Sequence, residues 1–143
     1  MTEPEHIPFD GRPAILIVSS DDSLVELIVL ILSPNYQLDH VSDIPEALDK
    51  LQRCQYALVL YADLRDRSRG AELFGLVRVG KAGERCCSLP FLLVAPSRID
   101  WIGCVIYPPG MFFLQPPFDR RELVAEVEYI LRHQSEQNLS LRR

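Results

Sequence analysis

Tyr56-Ala57-Leu58-Val59-Leu60-Tyr61-Ala62-Asp63 is apolar until its last residue, which is an acid. The run is too short for a helix of its own, and its apolar residues occupy odd and even positions alike. A strand apolar on both faces belongs in the middle of a parallel sheet, with helices on each side. In open sheets of this kind the ligand or reactive group sits just past the carboxyl ends of the strands. The informative residues are therefore Ala62 and, next to it, Asp63.

Outward from this strand the chain alternates. Residues 1–13 carry prolines and charges without a period and read as a flexible lead-in. Ala14 to Val18 is a second buried strand, followed by the capping residues Ser19 to Ser23. A first helix spans about Asp22 to Leu32. Leu24, Leu27, Ile28 and Ile31 form its expected core face, and Val25, Val29 and Leu32 form a second apolar face. Tyr36 to Val41 alternates like a strand near an edge. Ser42 to Glu46 opens a second helix with a polar cap and an early proline, and Ala47, Leu48 and Leu51 face inward.

Beyond the central strand, Leu64 to Gly70 is a charged loop. Ala71 to about Val79 is a third helix, with Leu73, Leu76 and Val77 inward. Lys81 to Ser88 is a polar connection. Phe91 to Ala95 is a buried strand. A weak helix runs from Pro96 to about Tyr107, and Pro108-Pro109-Gly110 ends it. Met111 to Gln115 is the last strand, Pro116-Pro117 a stiff corner, and Phe118 to about His133 the strongest helix. Its stripe is Leu123, Val124, Val127, Ile130 and Leu131. The tail, 134–143, is polar and expected to fray, or to be a linker stub. Five β-α units give a flavodoxin-like α/β domain over 14–133, a doubly wound parallel sheet with strand order 2-1-3-4-5.

Composition narrows the function classes. The chain has 143 residues, 48% hydrophobic and 24% charged, which suits one soluble domain with a real core. A net charge of −5 leaves no basic footprint for nucleic acid. The apolar run Leu27 to Leu32 is far too short to span a membrane. Cys54, Cys86, Cys87 and Cys104 lack metal-ligand spacing, and the vicinal pair Cys86-Cys87 reads as two ordinary thiols. Without a recognisable signal peptide the protein is expected in the cytoplasm with its thiols reduced. There is no GxGxxG or P-loop, and the glycine-free turn Ser19-Ser20 is a poor phosphate cradle. His6, His40 and His133 join no catalytic constellation, so the chain is not expected to be an enzyme.

Several segments together carry a family resemblance: Ile15-Leu16-Ile17-Val18 with the polar residues after it, Tyr56 to Ala62, Gly70-Ala71-Glu72-Leu73, Pro90 to Ala95, and Gly110 to Phe118 ending in Pro117-Phe118. Their order and spacing resemble the receiver domain of two-component response regulators over about Ala14 to Leu131. The resemblance implies five working groups at the carboxyl ends of the strands. Two acids after the first strand help hold Mg²⁺, an oxygen-preferring cation. An Asp ending the third strand accepts the phosphoryl group. A Thr or Ser after the fourth strand and a Lys after the fifth contact it.

Carried over residue by residue, those positions fall on Ser19 and Ser20 for the acids, Ala62 for the acceptor, Ala95 for the hydroxyl and Pro116 for the lysine. The loop before Pro116 is one residue shorter than the family's pattern. None of the five can do the family's work: alanine offers no oxygen, proline no ammonium, and a hydroxyl is a poor Mg²⁺ ligand beside a carboxylate. The chain looks like a degenerate pseudo-receiver, with no cofactor expected. The alternative is a displaced site, in which Asp63 accepts the phosphoryl group from a histidine kinase and Asp21 and Asp22 hold Mg²⁺. A one-residue slip along a strand turns a side chain to the opposite face, which opposes it.

The resemblance then implies a signalling module working by protein–protein contact, with self-association as one mode and no contact of its own with nucleic acid or membrane. Surplus apolar residues mark the expected surface: Val25, Val29 and Leu30 on the first helix, and Trp101, Ile102, Ile106 and Tyr107 on the weak helix. In the family, the fourth helix, fifth strand and fifth helix serve dimer and effector contacts. Here that surface corresponds to Trp101 to Gln115 and the last helix. No output domain follows residue 133 in this sequence, so the chain reads as a stand-alone receiver or as part of a larger regulator.

Overall fold

The computed structural model describes residues 11–62, 69–94 and 110–141. Five strands, β1 (Ala14–Val18), β2 (Gln37–Val41), β3 (Leu58–Ala62), β4 (Phe91–Val94) and β5 (Met111–Leu114), form one parallel sheet in the order β2-β1-β3-β4-β5. Among the described residues four helices accompany it: α1 (Asp22–Leu32), α2 (Ile44–Arg53), α3 (Arg69–Arg78) and α4 (Arg120–Leu141). The topology is the expected one, with β3 and β1 central and β2 at an edge.

Alternation along the strands divides the core in two. Leu16 and Val18 of β1, Val59 and Tyr61 of β3, and Phe91 and Leu93 of β4 meet Ile44, Ala47 and Leu51 of α2 and Leu73, Phe74 and Val77 of α3. On the other face Ile15, Ile17, Leu58, Leu60, Ala62, Leu92 and Val94 meet Val25, Ile28 and Leu32 of α1 and Leu123, Val127 and Ile130 of α4. Period-two strands packed against period-3.6 helices leave neither face of β3 or β4 wet, which is why those two read as unbroken apolar runs.

The helix starts follow from local chemistry. Asp21 caps α1, its carboxylate accepting from Leu24 N at 3.1 Å. Asp43 Oδ1 accepts from Glu46 N, and Glu46 returns a bond from Ser42 N, each at 2.9 Å. At α4, Asp119 and Glu122 exchange side-chain-to-amide bonds of 2.8 and 2.9 Å, a reciprocal capping box that sets the helix start after Phe118.

Four expectations need correction. The core face of α1 is turned: Leu27 is exposed, whereas Val25, placed on the interaction surface from sequence, is core at 8% exposure. Eight of the eleven residues of α1 are apolar, so its periodicity has no clear phase, and docking against the sheet and α4 selects the face. The helix expected to end at His133 continues to Leu141, because a polar segment of fair helix formers extends a helix without an apolar stripe to show it. The connection before β4 holds a short 3-10 turn, Glu84–Cys86. Phe74, outside the predicted core, is buried against the edge of Phe91 at 5.2 Å. The predicted helix from Pro96 to Tyr107 lies outside the described residues.

Candidate functional site

Parallel register brings three strand ends together. Val18 pairs with Val41 on one side and Tyr61 on the other, so Ser19 comes level with Ala62 one residue on. Ala62 itself pairs with Val94, and Val94 with Leu114. Ser19, Ala62 and the corner after Leu114 thus lie along the carboxyl edge of the sheet, where open α/β folds place their chemistry.

Ser19 is buried, at 1% exposure, and is held at three atoms. Its amide donates to Val41 O at 3.0 Å. Its hydroxyl accepts from Asp21 N at 3.0 Å. Its carbonyl accepts from His40 Nε2 at 2.8 Å, which places the proton on that ring nitrogen. The hydroxyl therefore shapes the turn into α1, and His40 ties the edge strand β2 to the tip of β1. Sequence reasoning missed this His40 contact; a histidine in an alternating edge strand gives no signal of a partner across the sheet.

Ala62 is completely buried, and its methyl group joins the apolar cluster under α1 and α4. Asp21 is engaged as the cap of α1, and Asp22 is the exposed first residue of that helix. Ser20 is exposed. Pro116 is half-buried, and the Pro116–Pro117 peptide bond is cis. Asp63, Ala95, Trp101, Ile102, Ile106 and Tyr107 lie outside the described residues.

Of the described positions only Asp21 and Asp22 bring carboxylates, and Mg²⁺ asks for near-octahedral oxygen, normally with one or two carboxylates. Ser19 Oγ is occupied by an amide, Asp21 caps a helix, and Ala62 brings no donor. Among the described residues, no three His, Cys, Asp or Glu side chains gather as a metal site.

The opposite end of the sheet is more polar than the sequence suggested. The Tyr56 hydroxyl donates to Asp39 Oδ2, with Lys50 Nζ 3.9 Å from the same oxygen. Burial, and then the bond to Asp39, raises the Tyr56 pKa above the ordinary phenol value. Arg85 Nη2 donates to the carbonyls of Leu51, Gln52 and Cys54 at 3.0–3.2 Å, closing the carboxyl end of α2. Gln55, Tyr56, Arg85, Cys86 and Leu89 line a half-open cavity of about 230 Å³ here. Cys86 is buried and its thiol donates to Leu51 O at 3.3 Å, while Cys87 is half-buried with its sulfur 3.7 Å from Gly83 O. The vicinal thiols thus have separate partners. On β5 and α4, Phe112, Tyr129 and His133 form an aromatic cluster, with Tyr129 stacked on His133 at 5.4 Å.

No family model matches the chain, and no curated protein does. Solved structures do. The signal receiver domain of an HD domain-containing protein from Pseudomonas fluorescens Pf-5 is 25% identical, with a TM-score of 0.72 over 87% of this chain and 98% of that one. The receiver domain of a sensor histidine kinase from Pseudomonas aeruginosa PAO1, crystallised with magnesium in its active-site cleft, is 20% identical, with a TM-score of 0.68 over 85% and 98%. A CheY-like receiver domain protein from Methanospirillum hungatei JF-1 is 18% identical, with a TM-score of 0.69 over 89% and 99%. The chain is similar to receiver domains of response regulators and sensor kinases along nearly their whole length, and it has their fold.

Proposed function

We propose that this chain is a pseudo-receiver: a receiver-fold signalling module that works by protein–protein contact and without phosphoryl transfer. The observation that carries the reading is Ala62, fully buried at the carboxyl end of β3 and level with Ser19 across the sheet. A phosphoacceptor must present a carboxylate oxygen to solvent and to a metal there, and this position presents a methyl group to the core. Ser19 and Pro116 support the same reading, since neither brings the acid or the ammonium that the chemistry needs.

Its partners on this reading are signalling proteins, including its own copies, in the cytoplasm, with no direct contact to nucleic acid or to a membrane. Among the described residues no helix is long and apolar enough to cross a membrane. The module has no enzymatic activity and needs no cofactor.

The test is intact-mass measurement after incubation with acetyl phosphate and Mg²⁺, beside Asp63→Asn. The expected result is no phosphoryl adduct in either protein. An adduct on the wild type that disappears in Asp63→Asn would overturn the reading in favour of a receiver phosphorylated at a displaced acceptor.

A further inference from the structure

We propose that α1 is a self-association surface, pairing antiparallel with α1 of a second copy about a two-fold axis near Leu27 and Leu30. This rests on the contact-based reading above and names the partner for one face. Among the described residues, five large apolar side chains are exposed, and three of the five stand on α1: Leu30 at 67%, Leu27 at 42% and Val29 at 36%. Leu27 and Leu30, three residues apart, are neighbours on the helix surface, with Leu30 facing most directly outward. Ser23 continues their side of the helix with a small exposed residue that lets another helix approach closely.

The charges identify a copy of this chain as the occupant. The exposed acids of α1, Asp22 and Glu26, lie toward its amino end, and its last turn carries no base. The positive charge at the carboxyl end is supplied from outside the helix by Arg12, whose Nη1 donates to Ser33 O at 2.8 Å. α1 therefore has acids toward one end, exposed apolar residues in its middle and a base bonded to its other end. Antiparallel pairing about the middle sets the acids of each copy against Arg12 of the other, and it also opposes the two helix dipoles. Such a surface is complementary to itself under a two-fold rotation, as an isologous dimer requires. Parallel pairing would instead set acids against acids at one end and Arg12 against Arg12 at the other.

Sedimentation velocity of the whole chain, from low micromolar to near-millimolar concentration, tests this. The wild type should show a monomer–dimer equilibrium. Leu30→Glu sets two carboxylates near the axis and should weaken dimerisation roughly tenfold or more. Arg12→Glu and Glu26→Arg should each weaken it, and the double variant should recover it, because the pair of charges is then exchanged. Val79→Glu, at an exposed apolar residue just past α3, should leave it unchanged, and circular dichroism should show every variant folded. A wild type that stays monomeric throughout, a dimer indifferent to Leu30→Glu, or a charge exchange that fails to recover association would each overturn the proposal. The acetyl phosphate measurement is independent: an adduct would end the pseudo-receiver reading whatever the sedimentation shows.

Discussion

A side chain added at Gly110 would collide with Nη2 of the Arg78 guanidinium. That group has little room to withdraw. Its Nη1 donates to Cys87 O at 2.7 Å and to Leu89 O at 3.0 Å, and its carbon lies 4.2 Å from the centre of the Phe74 ring. Gly110 also holds a φ of 89°, a conformation that L-residues other than glycine rarely adopt. Its carbonyl accepts from Phe91 N at 2.8 Å, so the turn entering β5 is fixed to the start of β4.

Gly110→Ala should therefore cost more than the about 1–2 kcal/mol that a left-handed conformation alone costs a residue with a Cβ. Urea unfolding of Gly110→Ala, Arg78→Ala and the double variant checks this. The two losses should be less than additive, because removing the guanidinium removes the clash. Strict additivity would mean that Arg78 moves aside freely.

Restoring an acid at the end of β3 should not restore a receiver site. Ala62→Asp places a carboxylate among Leu60, Val94 and the residues of α1 and α4, and an uncompensated buried charge costs about 3–5 kcal/mol. Burial disfavours the ionised form, so the folded-state pKa of the new carboxyl rises above its unfolded value near 4. The neutral group is tolerated below that value, and the penalty grows as pH rises through it. Unfolding at pH 4 and pH 7 should show Ala62→Asp losing more stability, relative to wild type, at the higher pH. An equal loss at both would mean that the new carboxylate reaches solvent.

The topology was legible in the sequence because each of β1, β3 and β4 is a contiguous apolar run between turn-forming residues, and because Asp21 and Asp43 stand where helix caps belong. The candidate site was legible only as positions. Counting places Ala62 at the tip of β3, but its complete burial and the three bonds of Ser19 depend on register between strands distant in sequence. Arg78 illustrates the same limit: its place on α3 gives no sign that Phe74 beneath it and the carbonyls of Cys87 and Leu89 beside it draw it inward. Burial lowers its pKa, with Cys87 acting in the opposite sense.

Within α1, stability and association should separate by residue. Val25→Ala removes packing from the core between α1 and the sheet and should cost about 1–3 kcal/mol. Leu30→Ser changes a residue that is 67% exposed and should alter stability by no more than about 0.5 kcal/mol. Thermal unfolding at protein concentrations low enough to keep the chain monomeric distinguishes the two. A large loss from Leu30→Ser in the monomer would show that this side chain packs within its own chain.

Alkaline unfolding should report the Tyr56–Asp39 pair. Burial, and then the neighbouring Asp39 carboxylate, hold the Tyr56 phenol protonated above the ordinary value, whereas in the unfolded chain it titrates near 10. The contribution of the protonated phenol is fully present below about pH 10. As pH rises further, the unfolded state releases a proton that the folded state keeps, so stability falls through that window. Tyr36 adds to the same fall, since burial and then Glu128 raise its pKa as well. Tyr56→Phe should therefore be less stable than wild type at neutral pH, having lost the bond to Asp39, and its stability should fall less steeply above pH 10. Denaturant unfolding at a series of pH values from 8 to 11 measures both slopes. Parallel curves would show that Tyr56 ionises as readily in the folded chain as in the unfolded one.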